Sequence, residues 1–424
     1  MNNFNFKNNV LNVEDVSVIR IAEIIGTPAY IYSKKSFENN FSNFSNTLKK
    51  VLGPKSDILV AYSVKSNSNI AVIDILNSLH SGADVVSIGE LQRALKVGIP
   101  PDKIVFSGVG KTQEEMAFGI DKNILQFNVE SLAELKKLSE ISISKGKDCP
   151  VAIRINPDIE AGGHKNISTG VHGTKFGIDY KEVQKIYEYA SNLKGIKIVG
   201  VDVHIGSQIT NLAPFKLAYN KIADLVRVLR EKGHKISNID LGGGIGILYD
   251  NSDNIFSLTE YAEMVLQTVG NLGCKIIFEP GRFISGNAGL LLTKVVRLKS
   301  NSKHNFLIVD AAMNDFLRPV LYDASHNIIE VMKKNKKVNN LSYKVVGPIC
   351  ETGDIINENC YFNDPKEEDL LAILDVGAYG ASMSSTYNSR SLVPEVLVSG
   401  KEINIIRKRI TVDQMMAFES LAKK

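Results

Sequence analysis

Ile58-Leu59-Val60-Ala61-Tyr62-Ser63-Val64-Lys65-Ser66-Asn67 is an apolar run that ends on a lysine. The run reads as a buried strand, and a lysine at the end of such a strand is costly unless it is neutral or paired. A neutral lysine amine is also the group that forms Schiff bases. Most strand-end lysines are simply solvated, so the weight of this one depends on what the rest of the chain places beside it.

The pattern of that stretch recurs from about residue 55 to 285. Strand candidates at Ile58–Val64, Asp84–Ser87, Ile104–Phe106, Leu125–Phe127, Val151–Ile155, Ile198–His204, Ile239–Leu241 and Ile276–Glu279 alternate with helical patterns. Those helices include Ile70–Leu79, Leu91–Val97, Ser131–Ile141, Lys181–Leu193, Pro214–Arg230 and Leu258–Leu272. Strand and helix in alternation predict a parallel sheet with right-handed crossovers. Eight such units predict a closed (β/α)8 barrel, whose chemistry belongs at the C-terminal ends of the strands. In strand order those ends carry Lys65, Ser87, Ser107, Asn128, Arg154-Ile155-Asn156, His204, Gly242-Gly243-Gly244 and Glu279-Pro280-Gly281-Arg282.

After about residue 286 the helical pattern fades, and Leu291–Leu298, Phe306–Val309, Tyr343–Val346, Leu371–Val376 and Ile403–Ile410 read as strands between turns. The predicted organisation is a barrel over 36–285 and an α/β chain completed by an all-β sandwich or barrel over 286–424 with 1–35. In this reading Ala29–Tyr32 supplies a strand to the second domain.

Composition bounds the rest. The chain has 424 residues, ordinary hydrophobic content at 44%, and a net charge of only +4, so no nucleic-acid partner is implied. Lys333-Lys334-Asn335-Lys336-Lys337 reads as a solvated loop. Cys149, Cys274, Cys350 and Cys360 are scattered, without CxxC pairing, and no HxxxH or HExxH spacing occurs, so no metal site is expected. The asparagine-rich start lacks the apolar stretch of a signal peptide, and no run suits a bilayer, so a cytoplasmic, membrane-free protein is expected.

Several segments suit ligand contact. Asp240-Leu241-Gly242-Gly243-Gly244 follows a strand, and consecutive glycines let backbone N–H groups approach an anion such as phosphate. Alone, the segment also reads as a tight turn. Glu279 suits a ring N–H and Arg282 a phosphate or carboxylate, although such a pair is often purely structural. His204 suits stacking on a flat ligand, and Ser207 suits phosphate. Further on stand Asp310-Ala311-Ala312-Met313-Asn314-Asp315-Phe316-Leu317-Arg318-Pro319, then Cys350-Glu351-Thr352-Gly353-Asp354 and Gly377-Ala378-Tyr379-Gly380. The loop Gly162–Gly170 reads as solvated or as a lid with glycine hinges.

Together these segments resemble the fold III pyridoxal-phosphate decarboxylases, and among them the diaminopimelate decarboxylase family, over nearly the whole chain. The family's Tyr-Ala-x-Lys-Ala-Asn motif is similar to Tyr62-Ser63-Val64-Lys65-Ser66-Asn67, with serine twice replacing alanine. Gly82-Ala83-Asp84-Val85-Val86-Ser87-Ile88-Gly89-Glu90-Leu91, Phe127-Asn128-Val129-Glu130-Ser131, His204-Ile205-Gly206-Ser207-Gln208 and Glu279-Pro280-Gly281-Arg282 look like further family motifs. Cys350-Glu351-Thr352-Gly353-Asp354 differs from the usual form by threonine for serine.

The resemblance implies pyridoxal 5'-phosphate held by Lys65 as a Schiff base. It implies a cofactor shell of Asp84, His204, Ser207, Gly242, Gly243, Gly244, Glu279, Gly281, Arg282 and Tyr379. It places Arg282, Arg318, Tyr322, Glu351 and Tyr379 on the substrate and makes Cys350 a catalytic residue. Arg318 suits a distal carboxylate and so favours meso-diaminopimelate, decarboxylated to L-lysine, over substrates with a distal ammonium alone. It also implies a homodimer with shared active sites. Another fold III enzyme, such as an arginine- or carboxynorspermidine-type decarboxylase or an alanine racemase, is the alternative. The non-enzyme alternative is a pyridoxal-phosphate carrier or regulatory relative.

Overall fold

The computed structural model describes residues 3–162, 169–171, 173–249, 255–334 and 341–422. Most of the possible lid loop, and the end of the lysine run, lie outside the described residues. The chain divides into two compact units.

The first unit, Asn40–Ile247 with Asn254–Ile284, is the barrel. Its eight parallel strands are Ile58–Ser63, Gly82–Val85, Ile104–Phe106, Gln126–Val129, Cys149–Asn156, Ile196–Asp202, Asn238–Asp240 and Lys275–Phe278. The eighth strand closes on the first, with Ile276–Phe278 opposite Ile58–Val60. Alternate residues of a strand share a face. Leu59, Ala61, Val105 and Ile277 pack together as an apolar layer. One step further along each strand come Ser63, Asp84, Ser107, Asn128, Asp240 and Glu279, so the layer above that apolar one is polar.

Helix caps account for most boundaries that differ from the sequence reading. Ser87, predicted as a strand end, is instead the N-cap of helix Ile88–Lys96, where its hydroxyl accepts the Glu90 N–H. Helix Gln113–Lys122 has little apolar periodicity, but Thr112 and Glu115 form a reciprocal capping box that starts it. Helix Lys34–Leu52 is rich in asparagine and serine, poor helix formers. It is held by Phe37, Phe41, Phe44 and Leu48, a buried stripe at helical spacing. Phe44 packs on Phe278 and Phe283, with ring centroids 5.9 and 5.4 Å away.

The second unit, Met1–Asn39, Leu248–Asp253 and Ser285–Lys424, is built on a mixed sheet. Its order is Ile355–Tyr361, Ser342–Val346, Asn305–Val309, Gly289–Ser300, Ala29–Ser33, Glu395–Ser399 and Glu402–Arg407. Ala29–Ser33 thus joins this sheet, antiparallel to Gly289–Ser300 and parallel to Glu395–Ser399. Helix Val18–Ile25 lays Val18 and Ile21 against Ile31, Leu290, Leu292 and Val396. Leu248 and Tyr249, read from sequence as part of the barrel, belong to this unit.

Candidate active site

Lys65 sits in a single helical turn, Val64–Ser66, directly after the first barrel strand. Its Nζ lies 2.6 Å from Asp84 Oδ2, and the Ser63 hydroxyl donates to the same oxygen at 2.5 Å. The lysine is therefore paired. Asp84 is fully buried; burial works against its charge, but Lys65 and Ser63 outweigh it and hold the carboxyl below its ordinary range. The strand register makes this pair, because Ser63 stands opposite Asp84.

The barrel interior near Lys65 is crowded with acid groups. Asp202, Asp240 and Glu279 each bring an oxygen to within 4.8 Å of the others. Asn128 Nδ2 donates to Asp240 Oδ2 at 3.1 Å and reaches Glu279 Oε1 at 3.4 Å. Gln126 donates to Asn128 at 2.8 Å and accepts from Asn238 at 2.8 Å, which fixes the amide orientation. Arg154 Nη1 donates to Glu130 at 2.7 Å, and its Nε lies 3.8 Å from Asp202. Burial, reinforced by Asp240, Asp84 and Asp202, pushes Glu279 well above the usual carboxylate range. Burial and the Asp240 charge do the same to Asp202. Burial lifts Asp240 to about 6 against the hydrogen bonds from Asn128 and Gly242. Neighbouring carboxylates in a dry interior do not all ionise, so protons are retained within this cluster.

The glycine loop fastens two of these groups. Gly242 N–H donates to Asp240 Oδ1 at 3.0 Å, and Gly243 N–H donates to His204 Nδ1 at 3.2 Å. The His204 proton is thereby left to Nε2. Burial, with the positive charges of Arg154 and Lys65, drives His204 down to about 3, so its ring is neutral. The glycines are required by close approach: a Cβ on Gly243 would lie 2.2 Å from the Glu279 carbonyl oxygen. One on Gly244, where φ is +103°, would lie 2.5 Å from the Gly206 oxygen. The loops after strands six, seven and eight therefore meet here. Arg282 Nη2 donates to Ser207 Oγ at 3.0 Å between the first and last of them, and Gly281 lies against Ser63 and Ser66.

The second unit holds the other predicted residues. Arg318 begins the helical turn Arg318–Tyr322, is buried, and donates from Nη1 to His326 Nε2 at 2.7 Å. Tyr322 is half-buried. Tyr379 is half-buried too, in the left-handed region at φ +55°. Cys350 and Glu351 are exposed. Their loop is braced: Cys350 N–H donates to Asn388 Oδ1 at 3.2 Å, and the Tyr387 hydroxyl donates to Glu351 at 2.5 Å.

Asp202 and His326 are not among the residues the sequence singles out, and Asp240 is there only as the first residue of the glycine segment. Asp202 and Asp240 carried a signal: each stands two residues before a predicted site residue, His204 and Gly242, hence on the same strand face. His326 carried none.

A lysine, a neutral histidine, buried carboxyls and a glycine–arginine cradle at the strand ends of one barrel suit the chemistry of a pyridoxal-phosphate enzyme. The family model "Pyridoxal-dependent decarboxylase, pyridoxal binding domain" matches residues 35–286. A diaminopimelate decarboxylase of Zymomonas mobilis is 45% identical over 98% of this chain and 98% of that protein. The structure of diaminopimelate decarboxylase from Helicobacter pylori complexed with L-lysine superposes with a TM-score of 0.89 at 39% identity, covering 94% of this chain and 98% of that one. The M. jannaschii enzyme, in co-complex with L-lysine, gives a TM-score of 0.93 at 36% identity over 99% and 98% of the two chains. The chain belongs to the pyridoxal-dependent decarboxylases of this barrel fold, and within them to the diaminopimelate decarboxylase family.

Proposed function

We infer that this chain decarboxylates meso-2,6-diaminopimelate to L-lysine and carbon dioxide, with pyridoxal 5'-phosphate as cofactor, as a cytoplasmic homodimer with shared active sites. The observation that carries the reading is the Lys65–Asp84 pair at the strand ends, beside His204, Glu279 and the Arg282–Ser207 contact. The residues present fit the cofactor at each of its polar ends. Lys65 would hold the aldehyde carbon. Glu279, whose carboxyl burial and the neighbouring acids hold above the usual range, would ionise most readily beside a positive ring nitrogen. Ser207, Gly242, Gly243, Gly244, Gly281 and Arg282 would hold the phosphate, where glycines admit backbone that a Cβ would exclude. His204 would offer the ring an aromatic neighbour. When bound, pyridoxal phosphate supplies an electron sink for the pair of electrons left behind as carbon dioxide departs.

The chain's own residues do the rest. Asp84, itself held by the Ser63 hydroxyl, fixes the Lys65 amine at the strand end before substrate arrives, which removes orientational freedom from the reaction. The neutral His204 adds no charge beside the ring. Arg318 would present a planar fork to the distal carboxylate, with Tyr322, Glu351 and Tyr379 as further proposed substrate contacts. Cys350 moves a proton to the carbon that has lost its carboxylate. Cys350 and Glu351 are exposed on the single chain, which supports their serving the neighbouring subunit's site. Among the described residues no helix is long and apolar enough to cross a membrane. All four cysteines are free thiols, as a reducing compartment favours.

A substrate panel on purified protein tests the reading. Diaminopimelate is turned over, and ornithine, arginine and lysine are poor substrates. Borohydride reduction leaves the cofactor on Lys65, read by peptide mass spectrometry. Cofactor trapped on a different lysine, or a preference for ornithine over diaminopimelate, overturns it.

A further inference from the structure

We propose that His326 is a positioning residue for Arg318, holding its guanidinium in the orientation that recognises the carboxylate at the far end of the substrate. The proposal rests on the reading that Arg318 binds that carboxylate. Arg318 is 4% exposed and His326 is 1% exposed, so each polar atom of the pair needs a partner inside the protein. Arginine has no lone pair to offer, so at 2.7 Å the His326 Nε2 is the acceptor and Arg318 Nη1 the donor. The imidazole proton then belongs to Nδ1, which donates to the Leu374 carbonyl at 2.8 Å. One tautomer of a neutral ring satisfies both contacts.

The ring has little room to turn. Phe316 meets it edge-on, with centroids 4.7 Å apart and planes at 84°. Tyr249 packs at 4.7 Å and 60°. Tyr249 also lies beneath the guanidinium, with Arg318 Cζ 4.7 Å from its ring centroid. Two aromatic walls and a backbone carbonyl therefore fix the imidazole, and the imidazole fixes one arm of the fork. The contact brings no negative charge to Arg318.

The test separates Nδ1 from Nε2. An asparagine amide reaches about as far as Nδ1, and a glutamine amide about as far as Nε2. His326→Asn, His326→Gln, Arg318→Ala and the double variant Arg318→Ala/His326→Asn are prepared as holoenzymes. Calorimetry measures binding of heptanedioate, which carries two carboxylates and no amine, against hexanoate, which carries one. Steady-state kinetics on diaminopimelate run alongside. Expected is a loss of about tenfold in heptanedioate affinity for His326→Asn (about 1.4 kcal/mol) with hexanoate unchanged. KM for diaminopimelate rises by a similar factor while kcat moves less. His326→Gln retains most of the wild-type selectivity, and His326→Asn adds nothing in the Arg318→Ala background. Equal weakening of both ligands by His326→Asn, or an undiminished effect in the Arg318→Ala background, overturns this inference alone. Unchanged heptanedioate selectivity in Arg318→Ala overturns the Arg318 reading and this inference with it.

Discussion

Gly243→Ala tests whether the glycine loop exists for close approach. The new Cβ would stand 2.2 Å from the Glu279 carbonyl oxygen and 3.1 Å from its carbonyl carbon. Reaching an ordinary C···O separation of about 3.3 Å requires the loop and the eighth strand end to part by about 1 Å. The obstacle is backbone, and it is tied down, because Glu279 N–H donates to the Gly242 carbonyl at 2.7 Å. Overpacking of this kind costs about 1–3 kcal/mol. The same displacement pulls Gly243 N–H from His204 Nδ1, a bond of 3.2 Å, worth about 1 kcal/mol. A total of about 2–4 kcal/mol corresponds to roughly thirtyfold to a thousandfold in affinity if it falls on the cofactor-bound state. Fluorescence titration of the cofactor-free variant with pyridoxal phosphate measures that share, and thermal unfolding of the same sample measures what falls on the fold. Gly110→Ala is the control, since a Cβ there meets nothing within 4 Å. A Gly243→Ala protein with wild-type cofactor affinity and wild-type Tm refutes the argument.

Other consequences can be measured directly. Mixing inactive Lys65→Ala with inactive Cys350→Ala subunits restores partial activity, because some hybrid sites then contain both residues; demonstrated subunit exchange without recovery rules out a shared site. Lys65→Ala also removes the cation that holds Asp84 ionised, so the Asp84 carboxyl rises, and infrared difference spectra of the cofactor-free variant gain a protonated-carboxyl band; an unchanged carboxylate signal contradicts it. Asp240 is raised to about 6 in the fold, from about 4 in the unfolded chain. Its stabilising contribution is therefore complete below the unfolded value and lost as pH rises through the folded one. In the cofactor-free state, wild type should lose on the order of 3 kcal/mol relative to Asp240→Asn between acid and neutral pH, at about 1.4 kcal/mol per tenfold in proton affinity. Urea unfolding across that range measures the difference, and a pH-independent gap between the two proteins contradicts the retained proton.

The alternation of strand and helix, the lysine after the first strand and the polar strand ends were all visible in the order of residues. A short β-strand with a helix behind it leaves a local pattern, and eight in succession leave few topologies. Elements whose stability is not local were missed. Helix Lys34–Leu52 has poor intrinsic propensity and exists because a stripe of four aromatic and aliphatic side chains finds a core. Strand Glu395–Ser399 gains its place from pairing with Ala29–Ser33, more than 360 positions earlier.

The chemical state of the site belongs to the tertiary structure. Period two puts Asp84, Asp202, Asp240 and Glu279 on inward faces, but only barrel closure brings three of those carboxyls within 4.8 Å of one another. Their retained protons follow from that crowding and from burial, neither of which is a property of any one segment. The same holds for the Lys65–Asp84 pair, the neutral His204 held by Gly243, and the Arg318–His326 contact. The sequence by itself determined which groups the protein carries and the barrel that displays them. Folding decided which groups touch, and proton affinity and orientation depend on that contact.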